Sequence, residues 1–338
     1  MDSRDYRVDL LRAFACIAVL FCHSPQVYNG QDGSFVIAIN NFYTMAWGAM
    51  LFFVISGICL LNSPKEAIPF LKKRLSRIIW PTIIWSLIYI FMQCYVWEEV
   101  SERDFINLLV GICIKPQYGS LWFMYALISI YLITPILTRW IHNCSQKEIR
   151  LYLMVYGIGL CLPYLTLLGI NSESLFDLNG ALYYFSGYLW CGVAGYYCKK
   201  YVRINLKSIK GILYAVMVLL SPLYIYIIKY YTGQIIDGSA TLLSMLTTLF
   251  AVVFIYSVDI SKIQNNKTLS LIINNISKYS FGIYLSHMLF LHPIRHWIAD
   301  FDINYLIQIP ITAILIGVVS YCFVWCISKL PIGKYIIG

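Results

Sequence analysis

Apolar residues along this chain come in runs of about twenty, separated by short stretches that hold most of its charge. A run of that length crosses the ~30 Å hydrocarbon core of a bilayer as an α-helix, whereas a helix of a water-soluble domain is shorter or striped. Ten stretches qualify: 10–29, 42–62, 78–97, 119–138, 151–170, 179–198, 211–230, 241–259, 280–298 and 306–328. The pattern predicts an all-α, polytopic integral membrane protein of about ten transmembrane helices. The connections are short and no internal repeat stands out, so one transmembrane domain is expected over 1–338, with no appended soluble domain.

Composition agrees. Hydrophobic residues make up 60% of the chain and charged residues only 12%, with a mean hydropathy of +0.71, far from the balance of a soluble domain. Basic residues then orient the spans, because Lys and Arg accumulate in cytoplasmic loops. Alternate loops on the N-terminal side hold 21 of the 25 Lys and Arg, and the opposite side holds only Arg103, Lys115, Lys229 and Arg295. That division predicts both termini in the cytoplasm. Glu98, Glu99, Glu102, Asp104, Glu173, Asp177, Asp237, Asp300 and Asp302 fall on the other, outer side. The formal net charge of +9 is therefore a topology signal, and nucleic acid is not an expected partner.

The longest outer connection, 98–118, contains the apolar stretch Phe105 to Ile114, too short to span and suited to an interfacial or re-entrant segment. The first span resembles a secretory leader in length. Acids precede it, however, and His23-Ser24-Pro25-Gln26 is no small-x-small cleavage pattern, so an uncleaved helix is expected. Cys16, Cys59, Cys94, Cys161, Cys191, Cys322 and Cys326 lie inside spans and read as small packing residues. No Cys/His spacing suited to a metal is present, and neither a metal nor a bound cofactor is expected.

Against this apolar background the ionisable residues stand out. Arg12 and His23 are eleven residues apart. Eleven helical steps turn through about 1100°, about 20° past three full turns, so both side chains share a face roughly 16 Å apart along the axis. Asp9 joins that stripe three residues before Arg12, and Cys16 lies between its ends. Charge at membrane depth usually faces a cavity, a partner or a substrate path. Two readings of each end stay open: Arg12 paired with Asp9 as an interfacial anchor or as part of a site, and His23 as a helix-to-helix hydrogen-bonding residue or as a reactive group.

Further along, Lys72-Lys73-Arg74-Leu75-Ser76-Arg77 opens the third span, with Pro81 beyond it. Arg74 and Arg77 share a helix face, where two guanidinium forks suit phosphate oxygens; a cytoplasmic loop also carries arginines for topology alone. In Phe52-Phe53-Val54-Ile55-Ser56-Gly57 the small Ser56 and Gly57 permit close helix approach. Trp122, in Gly119-Ser120-Leu121-Trp122-Phe123-Met124-Tyr125, sits where an aromatic belt is expected. Tyr284 and His287, in Ser280-Phe281-Gly282-Ile283-Tyr284-Leu285-Ser286-His287, can face the bundle together, and His287 can equally be a satisfied structural histidine.

Taken in order, Asp9-x-x-Arg12 with His23, Leu51 to Gly57, Arg74-x-x-Arg77 with Pro81, Leu121 to Tyr125 and Ser280 to His287 resemble membrane-bound acyltransferase family three, the bacterial O-acetyltransferases of surface polysaccharides. The resemblance implies a multi-pass protein of the bacterial cytoplasmic (inner) membrane, surrounded by membrane lipids. It implies acetyl-CoA or another acyl-CoA as donor substrate and a hydroxyl of a cell-surface or lipid-linked glycan as acceptor. His23, Arg12 and Asp9 would then be catalytic, with His23 as general base or, second in order, as an acyl-histidine nucleophile. Arg74 and Arg77 would hold acyl-CoA, with Ser56, Trp122, Tyr284 and His287 in support. The competing class is a transporter or flippase of a lipid-linked saccharide, in which the polar stripe lines a path and no bond is made.

Overall fold

Asp5 starts the first helix by accepting the backbone N–H of Arg7 at 3.1 Å, so α1 (Tyr6–His23) begins four residues before the expected apolar stretch. Hydropathy missed that turn because Arg7 and Asp9 are helical but charged. The helix stops at His23, where a tight turn at Ser24–Val27 containing Pro25 follows. The structure, a computed structural model, describes residues 5–27, 40, 44, 46–168, 187–205, 207–232, 241–299, 301 and 303–338. Arg4, Glu173, Asp177, Asp237, Asp300 and Asp302, and positions 28–29, 42–43, 45, 169–170 and 179–186 of the expected spans, lie outside the described residues.

The described residues hold helices and no strand. A wide turn at Ala46–Met50, broken at Gly48, leads into α2 (Leu51–Leu60). Next come α3 (Ala67–Phe91) and the short α4 (Phe105–Gly111). The chain continues through α5 (Trp122–Asn143), α6 (Gln146–Cys161), α7 (Leu189–Tyr201), α8 (Ile209–Thr232) and α9 (Leu242–Ser257). It ends with α10 (Ser261–Asn265), α11 (Lys267–Ala299), α12 (Tyr305–Ile327) and α13 (Gly333–Ile337). Four helical stretches are each long and apolar enough to cross a membrane: Ala67–Val96, Gly119–Asn143, Gln146–Leu165 and Tyr305–Ile327. This is an all-α membrane protein.

Two boundaries change the picture of the site. Helix α3 begins eleven residues before its expected span, so the basic run lies on a helix and not in a loop. Helix α11 begins thirteen residues early, with the Asn266 side chain accepting the Leu269 N–H at 3.0 Å. Lys267 and Lys278, read as loop residues, are helical. The Phe105 to Ile114 segment forms only the short α4, whose Ile106 and Val110 are exposed, and Tyr125 of α5 donates its hydroxyl to the Ile112 carbonyl at 2.6 Å.

Helix α1 is central, packing on α11, α12, α2 and the Ala46–Met50 turn. Its buried Ala13, Ala15, Cys16 and Ala18 let these neighbours close in. Cys161, Cys322 and Cys326 are exposed, so only some of the cysteines pack inside the chain. At α6 the Ser145 side chain and the Glu148 carboxylate cap one another.

Helices α2 and α7 meet backbone to backbone. A Cβ at Gly57 would land on the Gly192 carbonyl, so Gly57→Ala forces the helices apart, at a cost of about 1–3 kcal/mol typical of overpacking. The expected result is a lowered melting midpoint in detergent, read by tryptophan fluorescence. Gly157→Ala, whose Cβ would meet nothing within 4 Å, should leave the midpoint unchanged or raise it.

Candidate functional site

Five helices converge on a cavity of about 390 Å³. Arg12 comes from α1, Phe52 and Ser56 from α2, Arg74, Arg77 and Ile78 from α3, and Phe123, Leu127 and Tyr131 from α5. From α11 come Ser277, Lys278, Ser280, Phe281 and Tyr284, a stripe at spacings of three and four that turns one helix face to the cavity. Arg77 and Lys278 are exposed at its mouth, and Arg12 and Arg74 are partly buried. No Asp or Glu is among the lining residues described. Arg12, Arg74, Arg77 and Lys278 bring four cationic groups to the cavity, and such a cluster attracts an anion.

Sequence reasoning singled out Arg12, Arg74, Arg77, Ser56 and Tyr284, and the fold brings these together. It gave no role to Lys278, Ser277, Ser280 or Tyr131. The signal for two of them was present: Ser277 and Ser280, with Phe281 and Tyr284, continue one helical face backwards across the boundary placed at residue 280. Tyr131 carried no such mark.

Arg12 also lines a second cavity, of about 810 Å³, with Asp5, Arg7, Asp9, Cys59, Asn62, Lys199 and Gln264 among its walls. Its Nη2 donates to Cys59 Sγ at 3.6 Å. Asp9 is buried and accepts a hydrogen bond from the Ser277 hydroxyl at 2.7 Å, which ties α1 to α11 beside the first cavity. The Ser56 hydroxyl donates to the Phe52 carbonyl at 2.9 Å. Trp122 sits in an aromatic cluster with Phe53, Phe123 and Tyr188, at ring distances of 6.0, 6.2 and 5.0 Å.

His23 does not line either cavity described. It stands at the far end of α1, eleven residues from Arg12, with its ring 5.0 Å from that of His287. Tyr284 joins the two places. Its side chain lines the arginine cavity, its hydroxyl donates to the Ser120 carbonyl, and its own carbonyl is bonded to His287 Nδ1. The cavity thus ends one helical turn from the histidine pair. Since Asp9 meets Ser277 and His23 meets His287, α1 and α11 run in the same direction.

Beyond the pair, Tyr89 donates its hydroxyl to the Leu285 carbonyl at 2.7 Å and stacks on Tyr118 at 4.4 Å. His292 stacks on Trp97 at 4.4 Å and lies 3.5 Å from the Glu99 carboxylate. No cluster of three or more His, Cys, Asp or Glu able to hold a metal occurs among the described residues.

A family model described as an acyltransferase domain, acyltransferase family three, matches residues 5–329. No curated protein and no solved structure matches the chain.

Proposed function

The chain belongs to membrane acyltransferase family three, and from that premise we propose that it moves an acyl group, acetyl first in order, from acyl-CoA to a hydroxyl of a cell-surface or lipid-linked glycan. The observation that carries this reading is the arginine cavity ending one turn of α11 from His23 and His287. Arg74 and Arg77, with Lys278 and Arg12, hold the phosphates of the donor in charge-assisted hydrogen bonds. The pantetheine arm then carries the thioester along the bundle past Tyr284.

His23 lies roughly 16 Å beyond Arg12 along the helix. There it takes the proton of the acceptor hydroxyl as the oxygen attacks the thioester carbonyl. The C–O bond forms, the C–S bond breaks, and the proton passes from His23 to the departing thiolate. Arg12 holds the donor and relays no proton, because its guanidinium stays protonated at any working pH. Asp9, held by Ser277, fixes the Arg12 end of α1, and Ser56, Trp122 and Tyr284 shape the path.

In this reading about ten helices cross a bacterial cytoplasmic membrane with both termini inside. The parallel course of α1 and α11 supports it, as a first and a ninth crossing run the same way. The arginine cavity then opens to the cytoplasm, where acyl-CoA is made, and the histidines lie toward the outer acceptor.

Mass spectrometry of surface glycans from cells with and without the gene tests this. Glycan that loses an added acetyl mass when the gene is removed supports it. Identical glycan masses in the two strains contradict it.

A further inference from the structure

A buried histidine that serves only packing engages both ring nitrogens, because an unmet polar atom in a dry interior is costly. His287 departs from that rule. Its side chain is fully buried, and Nδ1 is bonded to the Tyr284 carbonyl. A carbonyl only accepts, so Nδ1 carries the hydrogen and Nε2 is a bare lone pair. That Nε2 is buried with no hydrogen-bond partner among the described residues. The neighbouring polar groups of α11 are committed elsewhere: the Ser286 hydroxyl donates to the Gly282 carbonyl at 3.0 Å, and the Tyr284 hydroxyl to the Ser120 carbonyl. His23 is the imidazole beside it, at 5.0 Å between ring centres and tilted by 45°.

We propose that His287 is the positioning residue of the reaction, its Nε2 accepting a hydrogen bond from the ring of His23 and so fixing the nitrogen with which His23 takes the substrate proton. This rests on the reading of His23 as general base. A base facing a hydroxyl must present a lone pair on one nitrogen, so its other nitrogen carries the hydrogen. An acceptor for that N–H locks the tautomer and ring orientation, and it shares the charge when His23 becomes an imidazolium. The Nε2 of His287 is such an acceptor, and the Tyr284 carbonyl holds it in the matching tautomer. No proton leaves the pair: what His23 takes from the hydroxyl it returns to the thiolate, and His287 ends as it began.

The test is steady-state acyl transfer by purified protein in proteoliposomes for His23→Ala, His287→Asn and His287→Gln. The asparagine amide can still donate to the Tyr284 carbonyl but puts nothing at the place of Nε2, whereas glutamine reaches that place with an amide. His287→Asn should lower kcat roughly 10- to 100-fold, the range typical of losing an orienting partner. KM for acyl-CoA and the melting midpoint should stay at wild-type values, and His287→Gln should recover part of the loss. Wild-type kcat in His287→Asn overturns the proposal, as does an equal loss in both variants with a lowered midpoint, the mark of a packing role.

His23→Ala separates the two levels. Activity retained there removes the base reading itself, while activity lost there but kept in His287→Asn removes only the pairing. Histidine-selective ¹⁵N NMR needs no folded His287 variant. The His287 Nε2 resonance should move between the wild type and His23→Ala, and an unmoved resonance overturns the proposal.

Discussion

Replacing His23 with alanine should lower acyl transfer by roughly 10²- to 10⁴-fold, the contribution expected of a positioned general base, while the protein reaches the membrane at its usual level. The magnitude follows from what remains. In the proposed reading donor binding rests on Arg12, Arg74, Arg77 and Lys278, of which Arg12, the one on the same helix, is eleven residues from His23. KM for acyl-CoA should therefore hold while kcat falls. The fold should also hold, because His23 is the last residue of α1 and only partly buried, and the core of that helix is built from Leu11, Ala15, Cys16 and Val19. Measured acetylation of glycan at matched protein levels checks this, and acetylation retained by His23→Ala removes the residue from the chemistry.

The double substitution Arg74→Ala with Arg77→Ala should weaken acyl-CoA binding about 100-fold. A hydrogen bond to a charged group contributes roughly 1.5–3 kcal/mol. The lower end applies here because Arg77 is exposed and Arg74 only partly buried, so water and salt screen both. About 1.4 kcal/mol is tenfold in affinity, which gives about tenfold for each arginine. Lysine at both positions should recover part of the loss, since an ammonium keeps the charge but lacks the planar fork. Calorimetry with acyl-CoA at two salt concentrations checks the account. The wild type should bind more weakly at high salt, and the double variant should show a shallower dependence. Affinity unchanged in the double variant moves the donor site elsewhere.

How much of this the sequence disclosed depended on whether a feature was local. The spacing of Arg12 and His23, and that of Arg74 and Arg77, involves residues within a few turns of one another, and each pair lies on one helix, α1 and α3. Helix ends were harder to read. A hydropathy pattern drops the charged turns of a helix even when hydrogen bonding continues through them, so α3 and α11 were begun too late and Lys278 was assigned to a loop. That misplacement hid the stripe of Ser277, Ser280, Phe281 and Tyr284.

Long-range pairings left no local mark at all. Asp9 was visible as part of a stripe, but its partner Ser277 lies 268 residues away. Tyr131 joins the cavity only because α5 packs beside α3. Trp122 showed the opposite limit: its position suggested a membrane belt and the resemblance a supporting role, and the fold places it among Phe53, Phe123 and Tyr188. The nearness of His23 to His287 is likewise a property of the packed bundle, in which α1 and α11 lie side by side.

The central claim is that this membrane protein makes a bond and does not merely move a saccharide. Proteoliposomes containing only the purified chain, acetyl-labelled acetyl-CoA and a saccharide acceptor test it most directly. The account predicts covalent label on the acceptor, matched by release of free CoA thiol and lost in His23→Ala. Unmodified saccharide crossing the bilayer while the acetyl-CoA stays intact would contradict it.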